Sequence, residues 1–189
     1  MPITDLFQGP HLRLRAFEAS DLAPFGDYLN HPDLAGRRYL PWQFPEELPL
    51  SRQQLQAILE KWGQAEKRLH LAVTRQEDGS LIGHASGDWG WDTHCPNIDL
   101  VIAPAYQQMG YGSEVLTILI AYFFLNTPAH VVSSSGIASW NQPAVAFVRK
   151  HGFTATGMMR RAGLRQGAEY DWLGFDLLRS EWLAQQGAA

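Results

Sequence analysis

Residues 97–116 read Asn97-Ile98-Asp99-Leu100-Val101-Ile102-Ala103-Pro104-Ala105-Tyr106-Gln107-Gln108-Met109-Gly110-Tyr111-Gly112-Ser113-Glu114-Val115-Leu116. Asn97–Ile102 has the apolar content of a strand, and Pro104 ends it. Ser113 to Leu125 is apolar almost all round, the pattern of a buried helix. Between them, two glycines one residue apart sit where a strand hands over to a helix N-terminus. Glycine lets the backbone turn tightly and leaves no Cβ in the way of a ligand. The free N–H groups of a helix's first turn carry partial positive charge. The stretch therefore has the makings of an anion cradle for a phosphate or pyrophosphate. A tight turn with no ligand is the commoner meaning of a bare Gly-x-Gly. Two nucleotide-binding patterns fail here: a Walker A loop needs a lysine that is absent, and the third glycine of a dinucleotide fingerprint is replaced by Val115.

Upstream, His11 to Phe17 alternates like a half-buried strand, and a helix starts near Ser20-Asp21. Tyr39, Trp42 and Phe44 lie among prolines on an irregular loop. Ser51 and Gln54 form a capping box for a helix with Leu55, Ile58, Leu59 and Trp62 on one face. Leu69–Thr74 and Leu81–Gly87 are strands joined across Asp78-Gly79. Trp89 and Trp91 stand in the turns before Asn97. Downstream, His130–Ile137 is a strand. Asn141 caps a helix with Pro143 in its first turn, and Gly152 closes it. Phe153–Arg161 and Glu169–Leu178 form a last hairpin across Arg165-Gln166-Gly167. The order, about seven strands with about four helices, is an α/β class with a mixed sheet. No linker or repeat divides residues 1–189, so one domain is expected.

The chain has 189 residues, 15 Lys plus Arg against 19 Asp plus Glu, and a formal charge of −4. That balance lacks the basic excess of a nucleic-acid binder. The one cysteine, Cys95, has no partner for an internal disulfide, and no Cys or His spacing points to a metal. The longest apolar run, Val115 to Leu125, is shorter than the ~20 residues a bilayer requires. No basic region followed by an apolar run opens the sequence, so a cytoplasmic protein with no membrane partner is expected. Aromatics make up 12% of residues, with seven tryptophans to place in a core, a pocket or a homodimer interface.

Gln107-x-x-Gly110-x-Gly112 after a strand and before an apolar helix resembles the acyl-coenzyme A loop of the GNAT N-acetyltransferases. Asn141, Ala144, Lys150, Gly152 and Phe153 match the signature of that family's next helix. Tyr170-Asp171-Trp172 and Glu181-Trp182 look like the ending of its RimJ/RimL-like branch. The resemblance covers roughly Leu12 to Trp182. It implies a mostly antiparallel sheet whose central strands, Asn97–Ile102 and His130–Ile137, splay apart to hold the pantetheine arm of acetyl-CoA. It implies that Gln107, Gln108, Met109, Gly110, Tyr111, Gly112 and Ser113 hold the pyrophosphate. A backbone N–H among Leu100, Val101 and Ile102 would stabilise the oxyanion, and Asn141 and Phe147 would flank the cofactor. The implied reaction is direct attack of a primary amine, from a protein N-terminus or a small molecule, on the thioester.

The resemblance brings no catalytic side chain with it. Relatives often carry Glu where Asn97 stands, Tyr at Val148 and Ser at Ala144. Asp99, on the same strand face as Asn97, is the candidate base through a water, against the commoner role of a solvated carboxylate. Tyr170 is the candidate acid for the leaving thiol, against a half-buried sheet tyrosine. His84 reads as a hydrogen-bonded structural histidine. Trp42, Phe44, Trp89 and Trp91 are candidates to line the acceptor site, with Asp88 and Asp92 beside it, and packing in a core or dimer interface weighs equally. A non-catalytic acyl-CoA-binding module of the same fold is the alternative function.

Overall fold

Leu12 and Leu14 are buried and Arg13 is exposed, the alternation that makes residues 12–15 a strand with one wet face. The computed structural model describes residues 6–35, 49–89, 92–134 and 136–187. In chain order the elements are β1 (Leu12–Arg15), α1 (Leu22–Leu29), α2 (Pro32–Ala35), α3 (Arg52–Gly63), β2 (Arg68–Arg75), β3 (Leu81–Asp88) and β4 (Asn97–Ile102). There follow α4 (Tyr111–Asn126), β5 (Val131–Ser134), β6 (Ile137–Ala138), α5 (Gln142–Lys150), β7 (Thr154–Arg165), β8 (Ala168–Leu178) and α6 (Arg179–Gly187). The strands form one mixed sheet in the order β1-β2-β3-β4-β5-β8-β6, with β7 paired to the free side of β8. Its registered pairs are antiparallel except those of β4 with β5, where Asn97 faces Ser133 and Ile98 faces Ser134.

The contacts fall into two units, residues 1–88 with 99–122, and residues 89–98 with 123–189. In the first, β1, β2 and β3 form an antiparallel meander. Helices α1 and α3 cover one face of it. Phe25, Tyr28, Leu29, Leu55 and Ala72 are the buried heart of that layer, and Trp62 packs against it. The Ser51 hydroxyl accepts from Gln54 N–H while the Gln54 side chain accepts from Ser51 N–H, so the expected capping box forms. Asp21 is held by two guanidinium bonds from Arg15, at 2.7 and 2.8 Å, and by the Glu18 N–H. Burial alone would raise its pKa, but these donors outweigh it and hold the carboxyl below its usual range. His84 takes the structural role expected of it, with its Nδ1 2.8 Å from the Tyr28 hydroxyl.

In the second unit, β7 and β8 form a long hairpin, and α5 and α6 accompany it. Phe123, Phe124, Val132, Phe175 and Leu177 are among its fully buried side chains. Trp182 packs on Phe124 with ring centroids 5.5 Å apart.

The sequence reading needs three corrections. The strand expected over His130–Ile137 is two strands, because Gly136 turns with φ +96° and the Trp172 indole fills the place where its Cβ would be. That break supplies the eighth strand. Glu181 and Trp182 belong to α6, which continues directly from β8. With the short α2, this brings the α-helices to six among the described residues. The last hairpin turns at Gln166-Gly167, both at positive φ, so β7 runs four residues beyond the expected Arg161.

Candidate active site

The quoted stretch builds the site. β4 ends at Ile102, a single 3₁₀ turn over Pro104–Tyr106 reverses the chain, and α4 begins at Tyr111. The Gln107 side chain donates to Ile102 O at 2.9 Å and ties the loop to the strand it leaves. Gln108 and Gly110 both sit at positive φ, +64° and +87°. Alternation of this kind turns successive backbone N–H groups toward one side, the geometry of an anion nest. A Cβ on Gly110 would meet no atom within 4 Å, so the space before the loop is open. Gly110 O accepts the first intrahelical bond, from Glu114 N at 3.2 Å. The amides of Tyr111, Gly112 and Ser113 therefore have no acceptor within the helix. Gln108, Met109 and Gly110 are exposed. The donors suit a diphosphate, and no acid side chain of the first turn points among them: Glu114 turns away to the start of β1.

Leu100, Val101 and Ile102 lie immediately before this loop on β4. Gly83 of β3 lets the β4 backbone approach closely, since a Cβ there would stand 2.1 Å from Val101 O. Asp99 begins this part of the strand. The residue is exposed by area, while desolvation of the carboxyl by neighbouring protein pushes its pKa up to about 6, against a smaller opposite pull from the Leu100 N–H. An acid poised there is ionised at neutral pH and takes a proton more readily than an ordinary aspartate.

The remaining candidates sit in the second unit. Asn141 caps α5, with its Oδ1 3.4 Å from Ala144 N and its carbonyl accepting from Val145 N. Phe147 is half-buried and packs on the His151 ring. Asn97 Oδ1 accepts the Ser133 hydroxyl at 2.6 Å, which gives this residue a structural partner. Tyr170 is buried, edge-on to Trp140, with its hydroxyl where a Cβ on Gly163 would stand. Trp89 is half-buried and packs edge-on against Phe123, ring centroids 5.3 Å apart, so one side of its indole belongs to the core. Trp42, Phe44 and Trp91 lie outside the described residues. Asp88 pairs with Arg68 at 2.8 Å, and Asp92 accepts from His94. Among the described residues, no group of three or more His, Cys, Asp or Glu is placed to hold a metal ion, and no helix is long and apolar enough to cross a membrane.

Two features of the site escaped the sequence reading. Glu114 has its partners a hundred residues away, at His11 and Leu12. His70 stacks on Trp62, rings 4.6 Å apart and 1° from parallel, with both ring nitrogens buried. Burial first, then the Arg68 charge, lower its pKa to about 4, against a smaller upward pull from Asp88. Neither contact has a local sequence signature.

The fold has relatives among solved structures. The chain is 21% identical to the spermidine N-acetyltransferase of Vibrio cholerae, solved with CoA and spermine, over 93% of this chain and 99% of that one, with a TM-score of 0.77. It is 20% identical to a GNAT-family acetyltransferase of Bacillus anthracis, covering 93% and 99%, with a TM-score of 0.78. In sequence it is 25% identical, over 95% of its own length and 96% of the other's, to the SPbeta prophage-derived uncharacterized N-acetyltransferase YokL of Bacillus subtilis strain 168. The model of the acetyltransferase (GNAT) domain family matches residues 11–154. With its strand–loop–helix cradle inside that match, the chain belongs to the GNAT acetyltransferase family and is an acyl-CoA-dependent N-acyltransferase.

Proposed function

We propose that the chain transfers an acetyl group from acetyl-CoA to a primary amine, with Asp99 as the base and the Gln107–Ser113 loop as the diphosphate cradle. The observation that carries this reading is the loop itself: nest-forming backbone at Gln108 and Gly110, followed by three helix-start amides without acceptors inside the helix. Acetyl-CoA supplies an acetyl group activated as a thioester. The protein supplies alignment and charge stabilisation. The amides of Tyr111, Gly112 and Ser113 would hold the diphosphate, and Asn141 and Phe147 would flank the rest of the cofactor. A backbone N–H among Leu100, Val101 and Ile102 would face the developing oxyanion, a role worth several kcal/mol in related chemistry, about 3. Asp99 would take a proton from the incoming ammonium, directly or through water, and leave a nucleophilic amine. Tyr170 is our candidate for returning a proton to the departing thiolate.

The acceptor we infer is a small alkyl amine or a peptide N-terminus, with Trp42, Phe44, Trp89 and Trp91 as the candidate residues to receive it. Two things support it: the aromatic surplus of the chain and the likeness in fold to a polyamine acetyltransferase. The Tyr170-Asp171-Trp172 strand favours the RimJ/RimL-like branch, and a homodimer is the assembly we expect. The test is calorimetric titration with CoA, followed by thiol release from acetyl-CoA across a panel of polyamines, aryl-alkyl amines and short peptides. Wild type should bind CoA and release thiol with at least one amine. Gly110→Asp, which sets a carboxylate in the cradle and strains a backbone at φ +87°, should abolish binding. Unchanged CoA affinity in that variant would refute the cradle.

A further inference from the structure

A carboxylate in the first turn of a helix normally gains from the positive end of the dipole, and in an anion site it would compete with the ligand for that field. Glu114 occupies this position in α4. It does not face the loop. Its Oε1 accepts from the N–H groups of His11 and Leu12, both at 2.8 Å, and its Oε2 lies 3.0 Å from His11 Nδ1. The side chain is 13% exposed. Gly9 makes the room: a Cβ there would stand 2.4 Å from Oε1.

The segment that receives Glu114 is itself held. Gly9 N donates to Leu12 O at 2.9 Å and closes a tight turn before β1. The Gln76 side chain donates to the carbonyls of Gly9 and Leu12. Phe7, just before the turn, packs at a tilt of 39° against Tyr122 farther along α4, ring centroids 4.8 Å apart. The turn therefore grips α4 at two points. At the other end of the loop, Gln107 is bonded to Ile102 O. Both ends of the cradle are thus fixed to strands by side chains that reach backbone groups.

We propose that Glu114, seated by Gly9 and His11, is a positioning residue that presets the acyl-CoA cradle and keeps its own charge out of it. The turn before β1 is then part of the cofactor site, although it touches no cofactor. The proposal rests on the cradle reading above. A cradle already in its bound shape pays less ordering cost on binding. A released Glu114 costs twice, in a looser helix start and in a carboxylate free to swing toward the phosphates.

The test is the CoA dissociation constant by calorimetry, well below the melting temperature, with the melting temperature of each apo variant alongside. Glu114→Ala and Gly9→Ala should each weaken CoA about tenfold. Glu114→Gln should restore wild-type affinity, because its amide oxygen can accept both backbone N–H groups and its Nε2 can donate to His11 Nδ1. Ser51→Ala, which weakens the distant α3 cap, serves as a destabilised control and should leave CoA affinity unchanged. Folded Glu114→Ala and Gly9→Ala proteins with wild-type affinity would overturn the latch, as would a Ser51→Ala protein that loses affinity in step with stability. Should Glu114→Ala fail to fold, Gly9→Ala against Glu114→Gln decides. If wild type binds CoA and Gly110→Asp does not, a failure confined to the latch variants leaves the cradle standing. A wild type that binds no CoA removes both.

Discussion

Asp99 is exposed as a residue, yet desolvation pushes the pKa of its carboxyl up to about 6. Two consequences follow with opposite signs. As a base it must be ionised, so the rate should rise as pH passes through about 6 and then level. Asp99→Asn should remove that limb and lower the plateau by about a hundredfold, the usual scale for a general base. For folding, a raised folded-state pKa means that ionisation is harder in the native protein than in the unfolded chain. The carboxylate therefore costs stability above pH 6, and the same variant should melt slightly higher at neutral pH. A pH–rate profile that keeps its acid limb in the variant would remove Asp99 from the chemistry. Gly83 shows the same dependence on single atoms: its missing Cβ lets Val101 O approach.

At the scale of elements, local signals gave reliable structure. The Ser51/Gln54 box, the Asn141 cap and the apolar run of β4 each encode their element within a few residues, and each forms where it is written. Ser51→Ala should cost about 1 kcal/mol, read as a shift in denaturant midpoint with unchanged slope. An unshifted midpoint would mean that α3 is held by its Leu55 and Trp62 packing alone. The loop between β4 and α4 was legible for the same reason, being one contiguous stretch between a strand and a helix. What was not legible depends on distant partners. The break at Gly136 is imposed by Trp172 on another strand. Helix α6 has few apolar residues to mark a face, and follows β8 without a separating turn. Glu114 looks in sequence like an ordinary first-turn acid, since nothing near it announces His11 and Leu12 as its partners.

At the scale of the molecule, acid stability is a balance among groups shifted in different directions. His70 is pulled down to about 4 from an ordinary 6.5, chiefly by burial. Its contribution is fully present above pH 6.5 and is lost as pH falls toward 4, because the unfolded chain takes up the proton first. The Arg15–Asp21 pair works in the same direction at lower pH, since Asp21 is held below its ordinary value. Asp99 opposes both. His70 and Asp99 are shifted by similar amounts in opposite senses, so the melting temperature should change little between pH 6.5 and 4, and His70→Phe, which keeps an aromatic ring against Trp62, should make it rise as pH falls across that window. An identical slope in the variant would show that His70 does not set this balance.

The last hairpin bears on how the molecule keeps to itself. β7 runs twelve residues with no described strand on its outer side, and Met158, Met159 and Leu164 are more than half exposed. A long apolar edge is a template for unwanted strand addition. Arg160, Arg161 and Arg165 are spaced along it in a chain of net negative charge. Arg161 is paired with Glu169 at 3.0 Å, and the charges of Arg160 and Arg165 would set like against like in a symmetric edge-to-edge approach. Arginine-to-neutral exchanges made on this strand for any other purpose would therefore carry the hazard of aggregation.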